Sequence, residues 1–273
     1  MMSLLKFYDN LVRIFIAIIV LSTFASCEKV IDINLNKANS KYVIEGNISN
    51  FEGDCKVKVT QTINFSDPSV FIGVTNAIVS ISEDQKDPVK LIQTSPGVYV
   101  SDIIANSSHV YTLLVNVDGQ EFTSTSKVPV RASFDSLYII DFSSFGSNRK
   151  FANVVFKDPE GVGNAYKFVQ YKNKIENPNL FLLNDLYSDG RSINTFLAFF
   201  DNSDNQRLNT GDTVMVEMQG IDPSVYKFFF SLSQASRGSG DNVAPGNPVS
   251  NISGGAIGYF NAYVKETKTV IVP

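Results

Sequence analysis

The sequence predicts an all-β protein of two sandwich-like domains, the second carrying one packed helix. Three observations predict it. Between Tyr42 and Val128 apolar and polar residues alternate with period two in seven short runs, the pattern of strands with one face buried. The joins between those runs hold turn chemistry, and seven short strands at such spacing suit a β-sandwich. Beyond Pro129 the chain is again mostly strand-like, with one convincing helix signal. A hydrophobic content of 44% against 18% charged residues supplies the apolar material, and 273 residues are enough to bury one or two cores.

The first element is a leader. Lys6 and Arg13 precede an uninterrupted stretch from Ile14 to Phe24, which ends in Ala25 and Ser26 before Cys27. That is signal-peptide order, and the stretch falls well short of the roughly 20 apolar residues that a membrane span requires. A leader ending small-small-cysteine resembles a lipobox, with Phe24 where leucine is usual. The resemblance implies that residues 1–26 are a lipoprotein signal peptide and that Cys27 is lipidated and becomes the first residue after cleavage. Two or three acyl chains hold a protein stably on a membrane, where one binds only marginally. Cys55 is then the remaining thiol, without a partner for an internal disulfide, and reads as a small buried hydrophobe in a strand. Removing Lys6, Asp9 and Arg13 makes the rest one unit more acidic than the −4 of the whole chain. Lys and Arg form no long run, so a nucleic-acid partner is not expected.

Residues 27–39 read as a polar tether with an apolar alternation, V-I-D-I-N-L, suited to an edge strand. The first domain, residues 40–128, follows with Y-V-I-E-G-N-I, K-V-K-V-T-Q-T, A-I-V-S-I-S, V-K-L-I-Q, G-V-Y-V, Y-T-L-L-V-N-V and E-F-T-S-T-S-K-V. Asp87-Pro88, Ser95-Pro96-Gly97 and Asp118-Gly119 supply turns, the last a pair that tolerates the positive φ of a tight hairpin. The boundary is placed at Val128-Pro129-Val130, because proline cannot donate into a central ladder. The second domain, residues 129–273, carries L-Y-I-I-D-F, F-A-N-V-V-F-K-D-P, A-Y-K-F-V-Q-Y and T-V-M-V-E-M-Q-G, then a helix over residues 223–237. Asp222 is its N-cap, Pro223 its first position and Gly238 follows its end. Val225, Phe228, Phe229 and Leu232 share a face, widened by Tyr226 and Phe230, so the helix is expected to pack on the second sheet. A loop from Gly238 to Gly255 leads to two closing strands, G-Y-F-N-A-Y-V and T-K-T-V-I-V.

The order A-I-V-S-I-S, G-V-Y-V, Y-T-L-L-V with a following glycine resembles the transthyretin-like or Ig-like sandwich. More specifically, C-E-K-V-I-D-I-N-L, K-Y-V-I-E-G-N-I, F-K-D-P-E-G-V-G-N-A-Y and N-P-V-S-N-I-S-G-G-A-I-G-Y-F-N-A-Y resemble the Bacteroidota outer-membrane lipoproteins of domain of unknown function 4249. The resemblance spans nearly the whole chain after the leader. It implies a lipid-anchored outer-membrane protein, on the periplasmic or the cell-surface face, encoded beside TonB-dependent receptors and without an assigned activity or catalytic residues.

The residues themselves point away from ordinary catalysis. A triad would have to use His109, the sole histidine, and no G-x-S-x-G turn is present. Zinc would have to make do with one histidine and one cysteine, and no cofactor motif appears. The acids, Asp67, Asp87, Asp158, Asp201 and Asp204 among them, scatter over turns rather than pairing in sequence. In D-N-S-D-N-Q-R-L-N-T-G-D, Asp201, Ser203, Asn205 and Asp212 fall at positions one, three, five and twelve of an EF-hand-like calcium loop. Gln206 stands where that loop needs glycine, strands flank it, and a solvated polar loop is the expected reading. The 21 Phe and 11 Tyr, without a Trp, read as core, with F-L-A-F-F at 196–200 and residues 254–263 the places for exposure. Asp135-Ser136-Leu137 and Asp212-Thr213-Val214 resemble the short O-glycosylation acceptor motif of Bacteroidota, which would place glycans on Ser136 or Thr213. The expectation is a non-enzymatic accessory or interaction protein docking on a TonB-dependent receptor or another envelope protein. A glycan- or peptide-binding module feeding such a transporter is the second reading, and a hydrolase with an unrecognised acid pair the third.

Overall fold

The computed structural model describes residues 40–63, 72–144, 147–198, 207–236 and 247–273. The leader, Cys27 and the tether lie outside the described residues. As expected, the fold is all-β and sandwich-like, with one helix among the described residues.

The first block gives β1 (Tyr42–Ser49), β2 (Lys56–Gln61), β3 (Ile72–Gly73), β4 (Ile78–Glu83), β5 (Val89–Lys90), β6 (Ile92–Ser95), β7 (Val98–Val100), β8 (Val110–Val117) and β9 (Gln120–Lys127). Their alternation becomes burial: in β8, Tyr111, Leu113, Val115 and Val117 point inward. The sheet β5-β4-β8-β9 faces a second one containing β1, β2 and β7, with Ile44, Val57, Tyr99, Leu113 and Phe122 between them. The β8–β9 hairpin turns at Asp118 (φ 52°) and Gly119 (φ 84°), the left-handed pair a tight hairpin needs. V-K-L-I-Q, expected as one strand, is two. β5 pairs with β4 in one sheet and β6 with β7 in the other, and the chain crosses at the buried Leu91, whose N–H donates to Val79 O at 2.9 Å.

The second block adds β10 (Ser133–Ser144), β11 (Ser147–Lys157), β12 (Ala165–Lys172), β13 (Ile175–Glu176), β14 (Phe181–Asn184), β15 (Ser192–Phe196), β16 (Thr213–Ile221), α1 (Pro223–Ser236) and β17 (Ile257–Ile271). The sheet β10-β11-β15 packs on β12 and β16 around Phe134, Phe156, Phe168, Val216 and Met218. Asp222 caps α1 as expected, its Oδ1 accepting Ser224 N–H at 2.8 Å. Val225, Phe228 and Phe229 are buried against Ala165, Ile221 and Tyr263, while Phe230 lies largely exposed, stacked on Tyr226.

The two closing strands are one. β17 runs unbroken because no turn residue interrupts A-Y-V-K-E-T-K. Its Ile257–Tyr263 half lies parallel to β1, and its Val264–Ile271 half pairs antiparallel with β16. Among the described residues a ten-stranded sheet therefore passes through both blocks, and Asn39–Pro273 is one compact unit. The boundary expected at Val128–Pro129 marks a change of sheet, while Phe260, Ala262 and Val264 of β17 belong to the first block's core. Close approach of the parallel pair depends on Gly258 (φ 130°), where a Cβ would collide with Ile44 O.

Candidate functional site

At the start of β12, two loops meet. The first leaves β11 as Asp158-Pro-Glu-Gly-Val-Gly-Asn164 and enters β12. The second joins β14 to β15 through Asp185-Leu-Tyr-Ser-Asp-Gly190. Three aspartates hold them together. Asp158 is fully buried and accepts the Tyr166 hydroxyl and Gly190 N–H (3.0 Å). Asp185, also buried, accepts the amides of Gly163 (2.7 Å) and Asn164 (2.8 Å), and Asp189 accepts that of Gly161 (2.7 Å). Asn164 adds bonds from its Nδ2 to Pro159 O and Gly161 O. Burial, with the Asp158 carboxylate beside it, pushes the Tyr166 phenol well above its ordinary range.

Oxygens of all three carboxylates lie within 4.8 Å of one another. Such a set is of the hard-cation type. Five backbone amides or hydroxyls already address these oxygens, so the arrangement acts as a clasp on the two loops. What the clasp displays is apolar. Val162 is 83% exposed, between Gly161 and Gly163, whose amides the aspartates hold, and Leu186 (67%) and Tyr187 (87%) are exposed between Asp185 and Asp189 themselves. Next to Val162, a pocket of about 270 Å³ is walled by Pro129, Val130, Ile221 and Pro223, with Lys127 and Asp222 as its charged residues.

Residues 28–269 match the family described as a domain of unknown function (DUF4249). The chain belongs to that family. Comparison with curated proteins gave no match.

In this DUF4249 chain the residues singled out from sequence are, Asp158 apart, dispersed. Cys55 is buried in the first core, and burial pushes its thiol up to about 12, away from nucleophilic use. His109 stands at the entrance to β8, where its Nδ1 meets Asp84 and lies 3.3 Å from Glu83. These three also bring metal-type atoms within 4.8 Å, but Glu83 is engaged by Lys86 (2.8 Å), Asn106 (3.2 Å) and Tyr111 (2.9 Å). The Lys86, Asn106 and Tyr111 bonds hold the Glu83 carboxyl down at about 2. Of the calcium-like loop, Asp201, Ser203 and Asn205 lie outside the described residues. Asp212 braces a turn by accepting from Asn209 N (2.8 Å) and Asn173 Nδ2 (2.7 Å), with Lys172 Nζ 3.6 Å away. Phe196 packs with Phe142 and Phe151, and Phe260 and Tyr263 are core, so among the described residues the aromatic load is mostly internal; Phe199 and Phe200 lie outside them. Ser136 follows a β-bulge in β10, half-buried, and Thr213 is exposed at the start of β16.

One polar group was invisible in sequence. On the α1 side of the ten-stranded sheet, Lys265 of β17 reaches Asp54, in the turn between β1 and β2, at 2.6 Å. It lies 3.3 Å from Glu217 of β16. The side chain of Asn50 brackets the Lys265 backbone, accepting its N–H at 2.7 Å and donating to its carbonyl at 3.3 Å. Asn50, Asp54, Glu217 and Lys265 come from three separated segments, and only the register of β17 joins them.

Proposed function

We propose that this DUF4249 protein is a lipid-anchored accessory protein of the outer membrane that docks on a neighbouring envelope protein, a TonB-dependent receptor being the expected partner. The observation that carries the reading is the clasped pair of loops, which holds Val162, Leu186 and Tyr187 in water on a braced backbone. Large apolar side chains grouped in this way favour an interface, because ordering them costs little on binding and covering them removes apolar area from water. Tyrosine is also among the residue types that dominate interface energetics. The adjoining pocket gives a partner side chain a recess. Attachment itself falls to the acyl chains expected on Cys27, which leaves the fold free for contact. A non-enzymatic role accords with a half-buried His109 tied to carboxylates and a deeply buried Cys55.

The test is gentle detergent extraction of a tagged native copy, with mass spectrometry of what accompanies it. An envelope protein is expected in the wild-type preparation, and its recovery falls about tenfold in the Leu186→Ser, Tyr187→Ser double variant, in line with the loss of an interface hot spot. Equal recovery from the double variant, or no companion together with reproducible hydrolysis of a glycan or ester, overturns the reading. Separately, Cys27→Ala is expected to move the protein out of the membrane pellet or block its processing.

A further inference from the structure

We propose that Lys265 and Asp54 form an intramolecular isopeptide bond, with Glu217 as the proton relay. Three functional groups are needed for such a bond: an amine, a carboxyl to be acylated, and a second carboxyl to move protons between them. All three meet here. Lys265 Nζ lies 2.6 Å from Asp54 Oδ2 and 3.3 Å from Glu217 Oε2, and the Ser49 hydroxyl also donates to Asp54 Oδ2. The side chains of Lys265, Asp54 and Glu217 keep only 15%, 28% and 10% of their exposure. The Phe51 ring lies 5.0 Å from Nζ. The backbone of Lys265 is held by Asn50 and by its place in β17, and Glu217 is fixed from the other side by the Gln219 amide. Reacting groups held in contact on a rigid sheet gain the large effective concentration that an encounter in solution lacks.

Burial pulls the Lys265 ammonium down, but the bonds to Asp54 and Glu217 outweigh it and hold the group above its ordinary value. The amine therefore needs a proton acceptor before it can attack, and this is the place of the second carboxylate. Lys265 passes a proton to Glu217, which hands it to Asp54, and the freed nitrogen lone pair attacks Cγ of the neutral carboxyl so formed. The tetrahedral carbon collapses by breaking one C–O bond. Both protons lost by nitrogen leave on that oxygen as water, so Glu217 ends as it began and no other reactant is consumed. The product is a neutral amide in place of two half-buried charges, tying the β1–β2 turn to β17.

The experiment is mass spectrometry of the full chain, purified and denatured, followed by proteolysis and peptide mapping. The expected result is a chain lighter by one water and a branched peptide joining the segments that contain Asp54 and Lys265. The Glu217→Gln variant is expected to fold with wild-type dichroism yet give the separate peptides, and Asp54→Ala and Lys265→Arg to give only separate peptides. Recovery of unbranched Asp54 and Lys265 peptides from the wild type overturns the proposal whatever the variants do. Full branching in Glu217→Gln overturns the relay role.

Discussion

Asn261 is fully buried on the α1 side of β17, between Tyr259 and Tyr263, and neither its amide nitrogen nor its amide oxygen has a partner. A buried polar atom without a hydrogen bond costs about 1–3 kcal/mol. Asn261→Leu, which keeps the volume and removes both atoms, is expected to raise the unfolding free energy by about 1–2 kcal/mol in urea titration. A loss of stability instead would show that an internal water or a ligand completes the amide. Glu83 gives a second test. Its carboxyl is held at about 2 in the fold against an ordinary 4.5, so the native state favours its ionised form. That stability is present above the ordinary value and is lost as the pH falls towards the folded one. Glu83→Gln should therefore flatten part of the decline in stability between about pH 5 and 2, compared with wild type in chemical melts.

At the scale of elements, α1 rests on its cap. Asp222 Oδ1 holds the first turn while Oδ2 accepts Lys127 N–H at 3.0 Å, joining the helix start to the end of β9. Asp222→Ala is expected to cost about 2 kcal/mol, the upper end for a cap, because it also orphans the Lys127 amide; thermal melting measures it. This cap, with Pro223 and the apolar spacing behind it, was legible in the sequence, as were β1, β2, β4, β8 and β9, whose period-two alternation is a local signal. What could not be read locally was pairing. The crossing at Leu91 turns on one inward residue, and the parallel β1–β17 ladder joins segments at opposite ends of the chain, where no neighbouring residue records the partner. The clasp was half legible. D-P-E-G-V-G-N stood out through family likeness, whereas Asp185 and Asp189 gained meaning only when β14 and β15 brought them to it.

For the molecule as a whole, the shared strand makes the two sandwiches interdependent. The segment 40–128, which its own strands and turns would suggest is self-sufficient, lacks Phe260, Ala262 and Val264 and leaves the β1 edge without its parallel neighbour. Expressed alone it is expected to show no cooperative thermal transition. In the full chain Phe260→Ala should cost about 3–5 kcal/mol and lower a single melting transition, rather than split it into two. A two-step melt with only the first step shifted would refute that coupling.

β17 is also synthesised after every other strand among the described residues. Until Ile257–Ile271 emerges, β1 and β16 each present a row of unpaired backbone groups, and the β1 ladder can close only across a loop of about 200 residues, the kind of non-local contact that slows folding. A nascent chain of this design stays unfinished through most of translation and completes both halves in one late step. Under the export proposed for this chain, delay is useful, since a threading translocase needs its cargo still open. The same delay exposes the unfinished edges to proteases and chaperones, so the timing of one strand governs how much protein survives the journey.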